Sequence, residues 1–251
     1  MSVRNEYERC ELDGLPTSFF LTNRQNFIKN LKERLTELPP NSFLFLMGGK
    51  ELLKYDNDDD LHYFLQESNF YYLTGVREYN YYATINLQDA TFSLYIPQPT
   101  EIEKIFLHVE TLEQIAEKYK CDTFDLMKMP QEVNRLTPGK LYVLNGTNSD
   151  SGNKVLTCDY IFPSPYEKLN EAIDHDSLIY EILADTRTKK SSQEINLITY
   201  LNQITVEGHI VTMKKIYQNL IKEQKTLIER DAENYFYSYT RNKSYCRNHP
   251  Y

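Results

Sequence analysis

LMGGKELLKYDNDDDLHYFLQESNFYYLTGV, residues 46–76, is the stretch on which the reading of the chain turns. Asp56, Asp58 and Asp60 alternate, and Glu67 follows eleven residues after the first. That is the carboxylate spacing of an EF-hand calcium loop. The turn geometry argues against it. The sixth loop position calls for glycine, because the chain turns there with positive φ, and here it is Leu61. The flanks should be helices, yet Phe70-Tyr71-Tyr72-Leu73-Thr74 is rich in β-formers and Gly48-Gly49 breaks the upstream side. A solvated acidic turn followed by a strand is the expectation.

Aromatic residues crowd the same region: Phe70, Tyr71, Tyr72, Tyr79, Tyr81 and Tyr82. Strand-core packing explains them first, since alternate residues of a strand are buried by default. An interface is the sharper reading, because tyrosine offers area with a polar handle.

Further out, FLFLM (43–47) and LYVL (141–144) are unbroken apolar runs, as expected of strands covered on both faces. ATINL and TFSLYI flank Gln88-Asp89-Ala90 and predict a hairpin. Phe27, Leu31 and Leu35 recur at helical spacing after Asn23, a candidate N-cap, and Pro39-Pro40 ends that helix. Thr111 with Gln114, Ser164 with Glu167, Ser191 with Glu194 and Thr226 with Glu229 match the capping box. Pro165 is placed at the first helical position. From about Asp176 only helical patterns remain, over roughly 191–220 and 226–241. Along the first of these, Ile195, Ile198, Leu201, Ile204 and Val211 share a face. Two helices alone seldom bury enough surface to stand independently.

Composition excludes several functions. A net charge of -8 argues against a binder of the nucleic-acid backbone. Cys10, Cys121, Cys158 and Cys246 form no C-x-x-C pair, which argues against a zinc knuckle or a disulfide framework. The first fifteen residues contain no apolar segment of secretory type, and the longest apolar run, Phe43–Met47, is too short to cross a membrane. A cytoplasmic protein is expected, with the sequons at Asn145 and Asn242 idle. No nucleophile elbow, zinc-helix motif, phosphate loop or dinucleotide fingerprint occurs. His62, His108, His175, His209 and His249 are scattered, and His209 has no acidic or histidine partner one turn away. The residues themselves point to no catalytic, cofactor-binding or metal-ligating position.

The segment 46–76 nevertheless closely resembles the N-terminal-domain signature of Xaa-Pro dipeptidases (prolidases) and aminopeptidase P. That signature runs Gly-Gly, a polar loop, Phe-Arg-Gln, Ser, then aromatics before Gly. The corresponding positions here are Gly48-Gly49, Phe64-Leu65-Gln66, Ser68, Phe70-Tyr71-Tyr72 and Gly75. FFLTNRQNFIKNLKERL (19–35) resembles the first helix of eukaryotic prolidases, and NGTNSDSG (145–152) resembles their Asn-Thr-Asp-Ser-Gly turn. DTRTKKSSQEINLITYLNQITVEGH (185–209) resembles the opening of their catalytic domain.

The resemblance implies an α/β fold: a mixed-sheet, creatinase/prolidase-like N-terminal domain over 1–178, then the first helices of an incomplete pita-bread domain over 179–251. It implies that the acidic run is a loop leading into a central strand and holds no calcium. Family members hydrolyse the bond before proline with two divalent metals, often manganese, held by Asp, His and Glu. The matching ligand motifs lie beyond SYCRNHPY (244–251), so the chain is expected to be truncated, to bind no metal itself and to be inactive alone. Xaa-Pro dipeptides would be its substrates if completed. The alternative is a non-catalytic module that pairs with itself or with a full-length homologue. In related dipeptidases an aromatic before the Gly reaches into the partner's active site, and Tyr72 matches it as a dimer or active-site wall. Two residues depart from the signature: Leu65 stands where Arg is usual, and Tyr79 where Pro is usual. Losing that Arg removes fixed donors and is expected to loosen the loop.

Overall fold

A computed structural model of the chain describes residues 15–54, 57–61, 64–106 and 109–244. Thr17–Lys189 form one compact unit, and the described residues from Lys190 onward belong to a second.

The first unit is built on a six-stranded mixed sheet whose centre is β1 (Ser42–Met47). On one side β1 runs antiparallel to β4 (Tyr82–Asn86), from Phe43 opposite Asn86 to Met47 opposite Tyr82. On the other it runs parallel to β7 (Lys140–Tyr142). The hairpin expected at Gln88-Asp89-Ala90 joins β4 to antiparallel β5 (Phe92–Ile96). Asn86 Oδ1 accepts from the Gln88 amide there, and Asp89 Oδ1 from the Thr91 amide. Outermost lie β6 (Asp122–Asp125), parallel to β5, and β8 (Ile173–Asp174), parallel to β7. A separate antiparallel pair, β2 (Leu53–Lys54) and β3 (Asn57–Leu61), carries the acidic run.

Every residue of β1 is buried because each face meets its own core. Leu44 and Leu46 join Phe27, Leu31, Phe70, Leu73 and Ile182. Phe45 and Met47 join Tyr95, Met129, Val133 and Phe162 on the opposite face. The two-residue period of the strand therefore sorts a continuous apolar run into two layers.

Helix α1 (Thr17–Arg34) begins six residues before Asn23, so Asn23 is not its cap. Burial of Phe19 and Phe20 carries the helix back past the asparagine, which is itself fully buried in mid-helix. Helix α2 (Ser68–Thr74) replaces the strand expected over 70–74, and the acidic run is a strand rather than a loop. Helix α3 (Glu103–Phe106) is a single turn. Helix α4 (Leu112–Tyr119) starts on the expected Thr111–Gln114 capping box, and α5 (Met129–Arg135) follows β6. Residues Glu167–Ala172 form a 3₁₀ turn rather than the α-helix expected after Ser164, and Pro165 lies in the turn before it. The Asn170 side chain bonds both main-chain groups of Phe162, a local alternative to helical bonding. Helix α6 (Ser177–Thr188) closes the unit.

The second unit consists of α7 (Ser192–Ile216), capped as expected by Ser191 and Glu194, a π-helical turn (Tyr217–Lys222) and α8 (Glu229–Ser244). Helix α8 starts beyond the expected Thr226 because Asp231 reaches back to the Ile228 amide at 3.0 Å. Gly208 lets α7 approach α8 closely: a Cβ there would lie 2.9 Å from Thr240 and 3.0 Å from Phe236. His209 packs on the Phe236 ring at 4.7 Å.

Candidate functional site

Described parts of residues 46–81 meet around one side chain, Gln66. Its Oε1 accepts from the Gly49 amide at 2.6 Å and the Glu67 amide at 2.9 Å. Its Nε2 donates to the Glu78 carbonyl at 2.7 Å. One amide thereby joins the exit of β1, the start of α2 and the loop before β4. Gly48 donates to Tyr81 O and Asn80 to Gly49 O, each at 2.8 Å, which closes the same junction through main chain. A Cβ on Gly48 would meet Tyr81 O at 3.0 Å, and one on Gly49 the Phe64 ring at 3.0 Å. The paired glycines are a requirement of close approach.

Glu67 caps α2. Its Oε2 accepts from the Phe70 amide at 2.7 Å and its Oε1 from Asn69 Nδ2 at 3.0 Å. The carboxylate that would have closed a calcium loop is thus a helix cap. Asp56, with His62, His108 and His249, lies outside the described residues. Gly75 ends α2 in the left-handed region at φ 77, its amide bonded to Tyr71 O. Between these brackets Phe70 and Leu73 point into the core. Cap, stop and buried face together override the β preference of Phe-Tyr-Tyr.

Tyr72 therefore stands on a helix, and the strand position expected for it is corrected. Its carbonyl accepts from Asn23 Nδ2 at 3.0 Å. The Arg187 guanidinium covers its half-buried ring, 5.5 Å from the centroid. Arg187 Nη1 donates to Asn69 Oδ1 at 2.6 Å and to Ser68 Oγ at 3.2 Å. Beneath α2, Arg24 is buried, with Nε bonded to Ala90 O, Nη1 to Leu73 O, and its charge 4.5 Å from the Phe92 ring. Burial lowers its pKa to about 10.

The two departures from the signature have distinct fates. Leu65 is 61% exposed. Tyr79 sets its ring edge-to-face on Phe64 at 5.6 Å. Next to it, Glu78 accepts from Tyr119 OH at 2.6 Å and Lys118 Nζ at 2.8 Å. Burial alone would raise the Glu78 carboxyl, but those two donors outweigh it and hold it below its usual range. Burial, then the charge of Glu78, drives the Tyr119 phenol upward. The loop is braced by Gln66, Glu78 and this ring pair.

The cluster holds and orients; it contains no nucleophile beside a base. Burial pushes the thiols of Cys121 and Cys158 up to about 12, so neither is a ready thiolate. Among the described residues, no group of three or more His, Cys, Asp and Glu side chains could hold a metal ion, so these residues do not fit the pair of divalent metals implied by the resemblance. No helix among them is long and apolar enough to cross a membrane. Sequence reasoning missed Asn23, Arg24, Glu78 and Arg187 as organisers. For Arg24 there was a signal: it falls on the Phe20–Phe27–Leu31 face of an amphipathic helix, where a charge must find partners.

Residues 20–144 match the family model described as aminopeptidase P, N-terminal domain. The chain is 28% identical over 226 residues to an Xaa-Pro dipeptidase of Pongo abelii, and 28% over 228 residues to that of Homo sapiens. Each alignment takes in 89% of this chain and 44% of the relative, so the chain spans less than half the length of these dipeptidases. The Pseudomonas aeruginosa aminopeptidase PepP structure superposes with a TM-score of 0.65 at 17% identity, over 93% of this chain and 50% of that one. At that identity the likeness speaks to fold alone.

Proposed function

We propose, from the premise that residues 20–144 belong to the aminopeptidase P N-terminal domain family, that the chain is the N-terminal portion of an Xaa-Pro dipeptidase-like metallopeptidase. The observation that carries this reading is the reach of the similarity. The dipeptidase alignment extends over 89% of the chain, well past the family domain and into the helical second unit. The dipeptidase alignments take in 80–89% of the chain and those of the Xaa-Pro aminopeptidases 70–78%, which favours dipeptides ending in proline as the substrate class.

These 251 residues serve as scaffold and wall, and do not hydrolyse the bond by themselves. Four of the described acids occupy structural positions: Glu67 and Glu194 cap helices, Glu78 pairs with Tyr119 and Lys118, and Glu207 accepts from Tyr239. Xaa-Pro dipeptide hydrolysis by the purified chain, with and without added manganese, tests this. Turnover at background level is expected; robust manganese-stimulated turnover overturns the proposal. The reading includes a homodimer, or pairing with a full-length homologue, with Tyr72 facing the partner. Cytoplasmic placement rests on the dispersed cysteines, of which Cys121 and Cys158 are free thiols.

A second reading, an association module without catalysis, is favoured by a specific observation. Ile195, Ile198, Val206, Ile210 and Met213 are exposed along α7. Surface of that kind promotes association. Elution of the chain as a monomer at high concentration, with no capture of a full-length homologue, would remove it.

A further inference from the structure

We infer that Arg187 is the positioning residue of Tyr72, fixing the ring in the orientation that a partner meets; this rests on the proposed reading of Tyr72 as a wall. Three helices converge on that one tyrosine. From α1, the fully buried Asn23 bonds its carbonyl. From α6, Arg187 lies across its ring. From the first turn of α2, Asn69 and Ser68 hold Nη1 of the guanidinium, and Asn69 is itself turned by the capping Glu67. Asn69 is 4% exposed. The acceptor that aims Arg187 is thus a buried amide with little freedom.

A tyrosine serving only as core filler is held by apolar contacts. This ring is half-buried, carries a cation on one face, and has its main chain pinned by a second buried amide. Rotation about its χ1 would break the cation–ring contact, and displacement of Arg187 would take the donor from Asn69 Oδ1. A planar guanidinium can stack on the ring while donating to two acceptors, whereas an ammonium is a point charge without that plane. Arg187 also sits in the last turn of α6, where a cation is favoured by the helix dipole. It is therefore held from its own element as well.

The test uses the whole chain with ring-¹³C-labelled tyrosine. The Tyr72 signal is identified by its loss in Tyr72→Phe. In Arg187→Met that signal is expected to shift and broaden while the other tyrosine signals stay in place. Arg187→Lys is expected to do the same and serves if the methionine variant folds poorly. An unmoved Tyr72 signal in the folded variants overturns the inference. In parallel, sedimentation equilibrium measures self-association. Arg187→Met and Tyr72→Ala are each expected to raise Kd about tenfold, and the double variant no further. Tyr72→Ala weakening the dimer while Arg187→Met does not would overturn the inference and leave the wall reading intact. A Kd unaffected by Tyr72→Ala, or a chain that never associates, would overturn the wall reading while the ring signal still decides the role of Arg187.

Discussion

Gln66 makes three main-chain hydrogen bonds with one side chain, whereas its neighbour Leu65 is mostly in water. Their substitutions should therefore differ sharply. Gln66→Leu leaves two amides and a carbonyl without partners in a part-buried setting, and is expected to cost about 2–4 kcal/mol in urea denaturation. Leu65→Ala should stay within about 0.5 kcal/mol. Arg24→Met keeps the bulk but orphans Leu73 O and Ala90 O, for an expected loss of about 2 kcal/mol. Glu78 adds a pH dependence. Its folded carboxyl lies below the ordinary 4.5. Its contribution is thus fully present above that value and is lost as pH falls through the lowered one. Urea midpoints followed downward from neutral pH should drop for the native chain, and drop less steeply for Tyr119→Phe, which lacks the donor at 2.6 Å.

Short elements in this protein are defined by their ends. Helix α2 has seven residues, of which Phe70, Tyr71, Tyr72 and Thr74 favour strands, yet Glu67 and Gly75 fix it as a helix. At Gly75 an added Cβ would lie 2.5 Å from the Phe20 ring, on a backbone at φ 77. Gly75→Ala is therefore expected to destabilise by more than the ~1–2 kcal/mol of left-handed backbone alone. Glu67→Ala, which removes the cap and the acceptor of Asn69 Nδ2 but adds no backbone strain, is expected to cost about 1–2 kcal/mol; thermal unfolding of the two variants, with Gly75→Ala the less stable, checks the order. The long pieces were legible in the sequence because period and punctuation agree there: the double-faced run of β1, the β4–β5 hairpin, and the capped starts of α4 and α7. The α2 segment was misread because a non-Ser, non-Thr cap gives no strong signal beside a run of tyrosines. Asn23 was misread for the opposite reason: a good capping residue in mid-helix was serving another element. The Glu78–Tyr119 pair, 41 residues apart, was invisible because only tertiary contact creates it.

At the scale of the whole molecule, the second unit leaves Ile198 and Val206 exposed on α7, 42% and 56% respectively. If that surface drives association, Ile198→Glu with Val206→Lys should move the chain to a later elution volume without lowering its helical signal by circular dichroism. The Gln66 junction also bears on how chain length can change. It clamps Gly49 to Gln66, so the distance between the ends of the segment 50–65 is set by the clamp and not by what lies between. Doubling the length of such a closed segment adds only about 0.6 kcal/mol of closure entropy. Insertions should therefore be accommodated there, since they leave the clamp itself untouched.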